Sequence, residues 1–137
     1  MSKKSPAIAE RIRAFAGSDL DPHYAGYFGC FNRQLYYEAH DVLEELWLQD
    51  RKGPDGDFYK GLIQFAGAFV HVQKNRPQPA VALLNLAEAN LAKYSPRHQR
   101  LEITKALQLI DVWRARIRAQ SDSRSLLEAP PHFAPTP

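Results

Sequence analysis

The stretch FYKGLIQFAGAFVHVQKN, residues 58 to 75, decides the fold. Wound at about 100° per residue, it is apolar nearly all round, which marks a helix at the centre of a protein. One narrow stripe is the exception: Lys60, Gln64, Gly67, His71 and Lys74. Gln64 and His71 stand two turns apart, with Gly67 between them. A mid-helix glycine costs about 1 kcal/mol against alanine, so Gly67 points to another backbone or a ligand coming close. The most apolar run, GLIQFAGAFVHV, is interrupted by Gln64 and His71. It falls short of the roughly 20 apolar residues that a membrane span needs. The expectation is a buried central helix over 57–75.

Upstream lies YYEAHDVLEELW, residues 36 to 47, on an expected helix over 33–50. Leu35, Tyr36, Ala39, Leu43, Leu46 and Trp47 fall on one broad face, and Glu38, Asp41 and Glu45 on the other, a solvated one. His40 and Glu44 sit at the border beside Tyr36, Tyr37 and Trp47; being four apart, their side chains are neighbours. Phe31 reads as a core anchor and Asn32 as the cap of this helix. The loop DRKGPDGD, 50–57, then joins helix to helix, since Asp55-Gly56 lies between helical rather than strand patterns.

Further out, the pattern predicts a helix over 6–16 with Ser5 as N-cap and Gly17 at its stop. A short helix follows from Asp21-Pro22 to Cys30, where Pro suits the first helical position. Beyond Asn75 and Pro77, Val81, Leu84, Ala87 and Leu91 space out a helix over 79–94. Ser95-Pro96 breaks it. A fifth long helix, 97–119, carries Leu101, Ile103, Leu107, Ile110, Trp113 and Ile117. Strand signals are nearly absent, and no repeat is seen. Short loops between long helices favour antiparallel neighbours. The fold class is therefore all-α, a compact up-and-down bundle of about five helices. One helical domain spans 1–120. A Pro/Ser-rich C-terminal tail, 121–137, is expected to be extended, with Leu126, Leu127 and Phe133 lying on the bundle.

With 137 residues the chain is one domain, long enough to bury a core without disulfides or a structural metal. The lone Cys30 cannot form an internal disulfide, which fits a reducing compartment, and reads as a small buried hydrophobe. The N-terminal stretch has basic residues but no apolar signal core, so the expected location is cytoplasmic, without membrane insertion. Net charge is +3, unevenly placed. From 33 to 57 lie seven acids and three bases, net −4; from 93 to 118 lie seven bases and two acids, net +5. Opposite charges attract when such helices pack. A nucleic-acid surface is the weaker reading, because it needs the bases on one face. Arg114, Arg116 and Arg118 fan out around a helix. His23, His98 and His132 fall in turns or tail and are expected to be exposed and inert.

Several chemistries find no support. There is no G-x-S-x-G elbow and no G-x-G-x-x-G. Gly56 and Gly61 have Walker spacing, but Leu62-Ile63 follow where Lys-Ser/Thr is needed. His40 begins H-D-V-L-E rather than the H-E-x-x-H zinc helix, and no Glu-x-x-His pair supports a di-iron bundle.

The motifs FNRQLYYEAHDVLEELW, FYKGLIQFAGAFVHVQKN and AVALLNLAEANL together resemble the DUF309 family of small all-helical proteins of unknown function. Its pattern is F-N, Y-x-E-A-H-x-x-x-E-x-x-W, G-L-I-Q, a His ten residues after that Gly, then an Asn. Here these fall on Phe31, Asn32, Tyr36, Glu38, Ala39, His40, Glu44, Trp47, Gly61, Leu62, Ile63, Gln64, His71 and Asn75. The likeness covers about 26–94. One departure is Pro79, where the family has a Gly before the alanine that is Ala80 here. The resemblance implies a helical fold and supplies no activity.

The candidate site is therefore the polar cluster His40, Glu44, Gln64 and His71, supported by Tyr36, Tyr37, Glu38, Glu45, Trp47 and Gly67. If the two motif helices pack together, the border of one meets the stripe of the other. Buried polar groups must be hydrogen-bonded. The leading reading is thus a non-enzymatic domain acting through binding or assembly, with a protein partner or a second copy, whose cluster satisfies itself. A rival is a metal-dependent, hydrolase-like enzyme in which His40, Glu44 and His71 hold a divalent ion, or His40 is a general base oriented by Glu44. A third is nucleic-acid association through the basic fifth helix.

Overall fold

The computed structural model describes residues 5–13 and 19–137. The expected Gly17 stop and the Ser5 side chain lie outside the described residues. Helix α1 spans Ser5–Ile12, α2 Pro22–Phe31, α3 Tyr36–Asp50, α4 Gly56–Gln73, α5 Pro77–Ala92 and α6 Ile103–Ala119. The fold is all-α. Helix α4 packs against both α3 and α5, α2 against α3, and α6 against α5. The links between α2, α3, α4 and α5 are three to five residues long, so these packed neighbours run antiparallel. No helix among the described residues is long and apolar enough to cross a membrane.

Helix α4 is central, as its composition dictates. Phe58, Leu62, Phe65, Ala66, Phe69 and Val72 are fully buried, each large side chain contributing roughly 1.5–3 kcal/mol. The positions left partly or fully exposed include the predicted stripe, Lys60, Gln64, Gly67, His71 and Lys74. Helix α4 comes close to α5 at Gly61. A Cβ there would stand 2.9 Å from Leu91 Cγ and 3.2 Å from Asn90 Cβ of α5.

Three local expectations are corrected. Helix α2 starts at Pro22 as expected, and Asp21 caps it, its Oδ1 accepting from the His23 N–H at 2.8 Å. Asn32, however, does not cap α3. It closes α2, and α3 begins only at Tyr36, with Leu35 making no side-chain cap. The Asn32 side chain is engaged by the tail instead. Second, 97–102 is not helix. Arg97–His98 and Leu101–Glu102 form an antiparallel ribbon, β1 and β2, pairing Arg97 with Glu102 and His98 with Leu101. Gln99 and Arg100 turn it at φ 44° and 63°, the left-handed pair that a two-residue hairpin requires. Such backbone costs roughly 1–2 kcal/mol per residue, and tertiary bonds offset it. The Gln99 amide donates to Asp55 Oδ2 (3.2 Å) and Tyr59 Oη (2.9 Å), and the Tyr24 hydroxyl donates to Gln99 O (2.9 Å). Third, the tail is not extended throughout. Ser123–Glu128 form a 3-10 helix whose buried Ser123 donates to Val72 O at 3.0 Å. Beyond it, Phe133 packs on the core along with Leu126 and Leu127.

His23 and His98 are not inert. His98 Nε2 lies 2.7 Å from Asp55 Oδ1, and its ring lies edge-on to Phe58. His23 bridges Asp21 (3.2 Å) and Glu45 (3.4 Å). His132 is exposed, as expected. The acidic and basic segments do meet, through Asp57–Lys93 at 2.8 Å and Asp55–His98.

Candidate functional site

Helices α3, α4 and α5 enclose a cleft of about 240 Å³, lined by Tyr37, His40, Ile63, Gln64, Gly67, Val70, His71 and Leu83. Each helix contributes for a local reason. On α3, Tyr37 and His40 are three apart and share a face; their rings stack at 6.3 Å and 23°. On α4, Gln64, Gly67 and His71 are the predicted stripe. At Gly67 the missing side chain leaves room beside Leu83, whose Cδ1 would lie 3.3 Å from an added Cβ.

The polar groups do not pair as the sequence suggested. Gln64 does not meet His71. Its Oε1 accepts from Asn90 Nδ2 of α5 at 2.8 Å. With the carbonyl taken, the Gln64 amide NH2 is what remains to offer. His71 Nδ1 is shut off from solvent and has no hydrogen-bond partner among the described residues. The imidazole is held below the usual histidine range, first by desolvation, then by the neighbouring charges of Arg76 and Lys74. It is neutral at pH 7. A buried N–H without an acceptor is rarer and costlier than an unfilled acceptor, so the proton sits on Nε2. The donors left to these two polar residues, which line the cleft, are thus Gln64 NH2 and His71 Nε2–H.

His40 is held at the cleft's edge. Its Nδ1 is 3.2 Å from Asp41 Oδ1, and its Nε2 is 3.7 Å from Glu44 Oε2. These three residues can bring one ligand atom each within 4.8 Å of one another. That close group contains Asp41, which the helical wheel had assigned to a solvated face, and does not contain His71. Glu38, Glu44 and Glu45 are half-buried. Tyr36 was expected to join the network with its hydroxyl. It is fully buried, stacked on Phe69 at 5.2 Å, and its hydroxyl finds no partner among the described residues. Burial raises its pKa further above the ordinary tyrosine value. Trp47 faces Lys60, whose Nζ is 6.0 Å from the ring centroid. Tyr37 is 58% and Leu48 52% exposed. Eleven residues apart, they share one face of α3.

Asn90 and Leu83 escaped the sequence reading because both lie on α5, whose spacing reports only which face is apolar. Two of the four basic residues of α6 are engaged. Arg114 is held by Glu88 (2.9 Å), Asp111 (2.6 Å) and Asn85 (2.6 Å), and Arg116 lies 5.5 Å from the Trp113 ring centroid.

Fold and site thus define a small helical domain with a two-histidine cleft. Residues 24–89, which supply α2 through most of α5 and every wall of that cleft, match the domain of unknown function DUF309. The match agrees with the resemblance carried by the sequence motifs. No curated protein and no solved structure matches it.

Proposed function

We propose that this domain is a non-enzymatic binding module, and that its α3–α4–α5 cleft takes a small molecule with an apolar body and a hydrogen-bond acceptor at one end. The observation that carries the reading is His71. A neutral imidazole with one nitrogen buried and unpartnered lines an apolar cleft beside a second donor, Gln64. With Nδ1 left as the buried acceptor, the proton is on Nε2, and between apolar walls a hydrogen bond from it to a bound acceptor is stronger than on open surface. The exposed Tyr37 ring, stacked on His40, offers a flat lip for an aromatic body.

Benzoate and benzamide are suitable probes, each a ring with an acceptor. The reading expects saturable millimolar shifts in NMR amide signals of α3 and α4, absent in His71→Ala/Gln64→Ala protein of unchanged helicity. Shifts spread over the whole surface, or unchanged in the variant, overturn it. Assembly through the Tyr37–Leu48 face then becomes the stronger reading, checked by sedimentation of Tyr37→Glu against wild type.

A second reading rests on the His40–Asp41–Glu44 group. One imidazole and two carboxylates suit zinc, manganese or iron(II), with coordination positions left for water. That is the donor set of a metal-dependent hydrolase. Elemental analysis of untagged protein, with His40→Ala alongside, tests it. Near-stoichiometric metal lost in the variant supports it; no metal as purified and none taken up on addition overturns it.

A further inference from the structure

The Asn32 backbone closes α2, but the side chains of the Phe31-Asn32 motif are used neither by the cleft nor in capping. What it does in the fold is grip the tail. Asn32 Nδ2 donates to Phe133 O at 2.8 Å, and the Phe133 N–H donates to Asn32 Oδ1 at 3.1 Å. One amide side chain thereby reads both backbone groups of a single residue. That contact is indifferent to which side chain Phe133 carries. Specificity comes from the seat beside it. The Phe133 ring lies 4.9 Å from Phe28, 4.9 Å from Phe31, 5.1 Å from Phe65 and 6.1 Å from Tyr27, all edge-on.

Receptor and occupant have different origins in the chain. Tyr27, Phe28, Phe31, Asn32 and Phe65 all lie within the matched segment, 24–89, whereas Phe133 lies well beyond it. The occupant, APPHFAPTP over 129–137, has no regular secondary structure, and Pro130, Pro131, Pro135 and Pro137 hold it extended. Backbone hydrogen bonds for affinity plus an aromatic pocket for one side chain is how domains recognise extended, proline-rich peptides. Past Phe133 the tail is tied at Thr136, whose N–H donates to Arg100 O at 2.8 Å and whose hydroxyl meets Arg97. Between tail and α6 a cleft of about 460 Å³ is left, walled by Leu101, Lys105, Leu109 and Val112.

We infer that the Phe31-Asn32 seat is a docking site for an extended, proline-flanked segment of a partner protein that presents a phenylalanine, and that the chain's own tail is its resident occupant. A tethered occupant competes at an effective concentration near millimolar, so a partner must displace Phe133 or meet the seat when the tail has left it.

The test uses the full chain with Phe133→Ala, which empties the aromatic part of the seat and leaves the tail only its backbone hold on Asn32, and a fluorescein-labelled peptide of sequence APPHFAPTP read by anisotropy. Expected is saturable binding to this variant and binding at least about tenfold weaker to wild type, where the tethered tail competes. Binding is also expected to be lost for the peptide carrying Phe133→Ala, and for the double variant Asn32→Ala/Phe133→Ala. A folded Phe133→Ala protein that ignores the peptide overturns the inference, as does equal binding of the phenylalanine-free peptide. Hydrogen exchange on wild type decides the matter even if the variant does not fold. A dock requires the Phe133 amide to exchange by local opening, at least about a hundredfold faster than the slowest α4 amides. Protection equal to α4 makes the tail part of the cooperative core and overturns the inference.

Discussion

Asn90 of α5 donates its side-chain N–H to Gln64 Oε1 of α4 at 2.8 Å, one turn from the close approach of the two helices at Gly61. This bond fixes which end of the Gln64 amide faces the cleft. Asn90→Ala removes the donor and frees the amide to turn. Because the bond is half-buried, its loss is expected to cost about 1 kcal/mol in urea denaturation. Affinity for the benzoate probe should fall with it. Unchanged stability would show that water replaces Asn90 without loss.

Gly61 and Gly67 are expected to respond oppositely to alanine. At Gly61 the new Cβ would stand 2.9 Å from Leu91 Cγ, and forcing α4 and α5 apart costs roughly 1–3 kcal/mol. At Gly67 the nearest atom is the mobile end of Leu83, at 3.3 Å, and alanine recovers up to about 1 kcal/mol of helix propensity. Thermal melts of the two variants check this. Gly67→Ala, which narrows the cleft, should also weaken probe binding.

His71 makes stability depend on pH. Its folded pKa lies below the ordinary value of 6.5. Between the two values the unfolded chain binds the proton and the folded chain does not. The contribution is therefore fully present above about 6.5 and is lost as pH falls through the folded pKa. Denaturation midpoints measured from pH 7.5 down to 5 should decline in wild type and decline less in His71→Ala. Parallel curves would mean the ring is as well solvated folded as unfolded.

His40→Ala is expected to fold with near-normal stability. The ring is about one-third exposed, and its partners Asp41 and Glu44 are near the surface. Such pairs contribute roughly 0–1 kcal/mol. A loss of several kcal/mol would make His40 an architectural group and would weaken both the binding and the metal readings.

The central position of α4 was legible in one line of sequence, because a helix apolar all round has only one place to go. So were the start of α2 at Asp21-Pro22 and the stripe through Gln64, Gly67 and His71, which lines one cleft with His40. The hairpin at 97–102 was not legible. Gln99 and Arg100 favour helix in isolation, and it is residues distant in sequence, Asp55, Tyr59, Tyr24, Asp19 and Thr136, that hold them at positive φ.

The same division runs through the site. Sequence by itself determined which residues share a helix face, since that follows from 3.6 residues per turn. Only the tertiary structure decided which polar atoms meet. Gln64 turned to Asn90 rather than His71, Asp41 rather than His71 joined His40 and Glu44, and Asn32 closed on Phe133 rather than capping α3. A hydrogen bond is settled within a few tenths of an ångström, and periodicity places a side chain only to the nearest face.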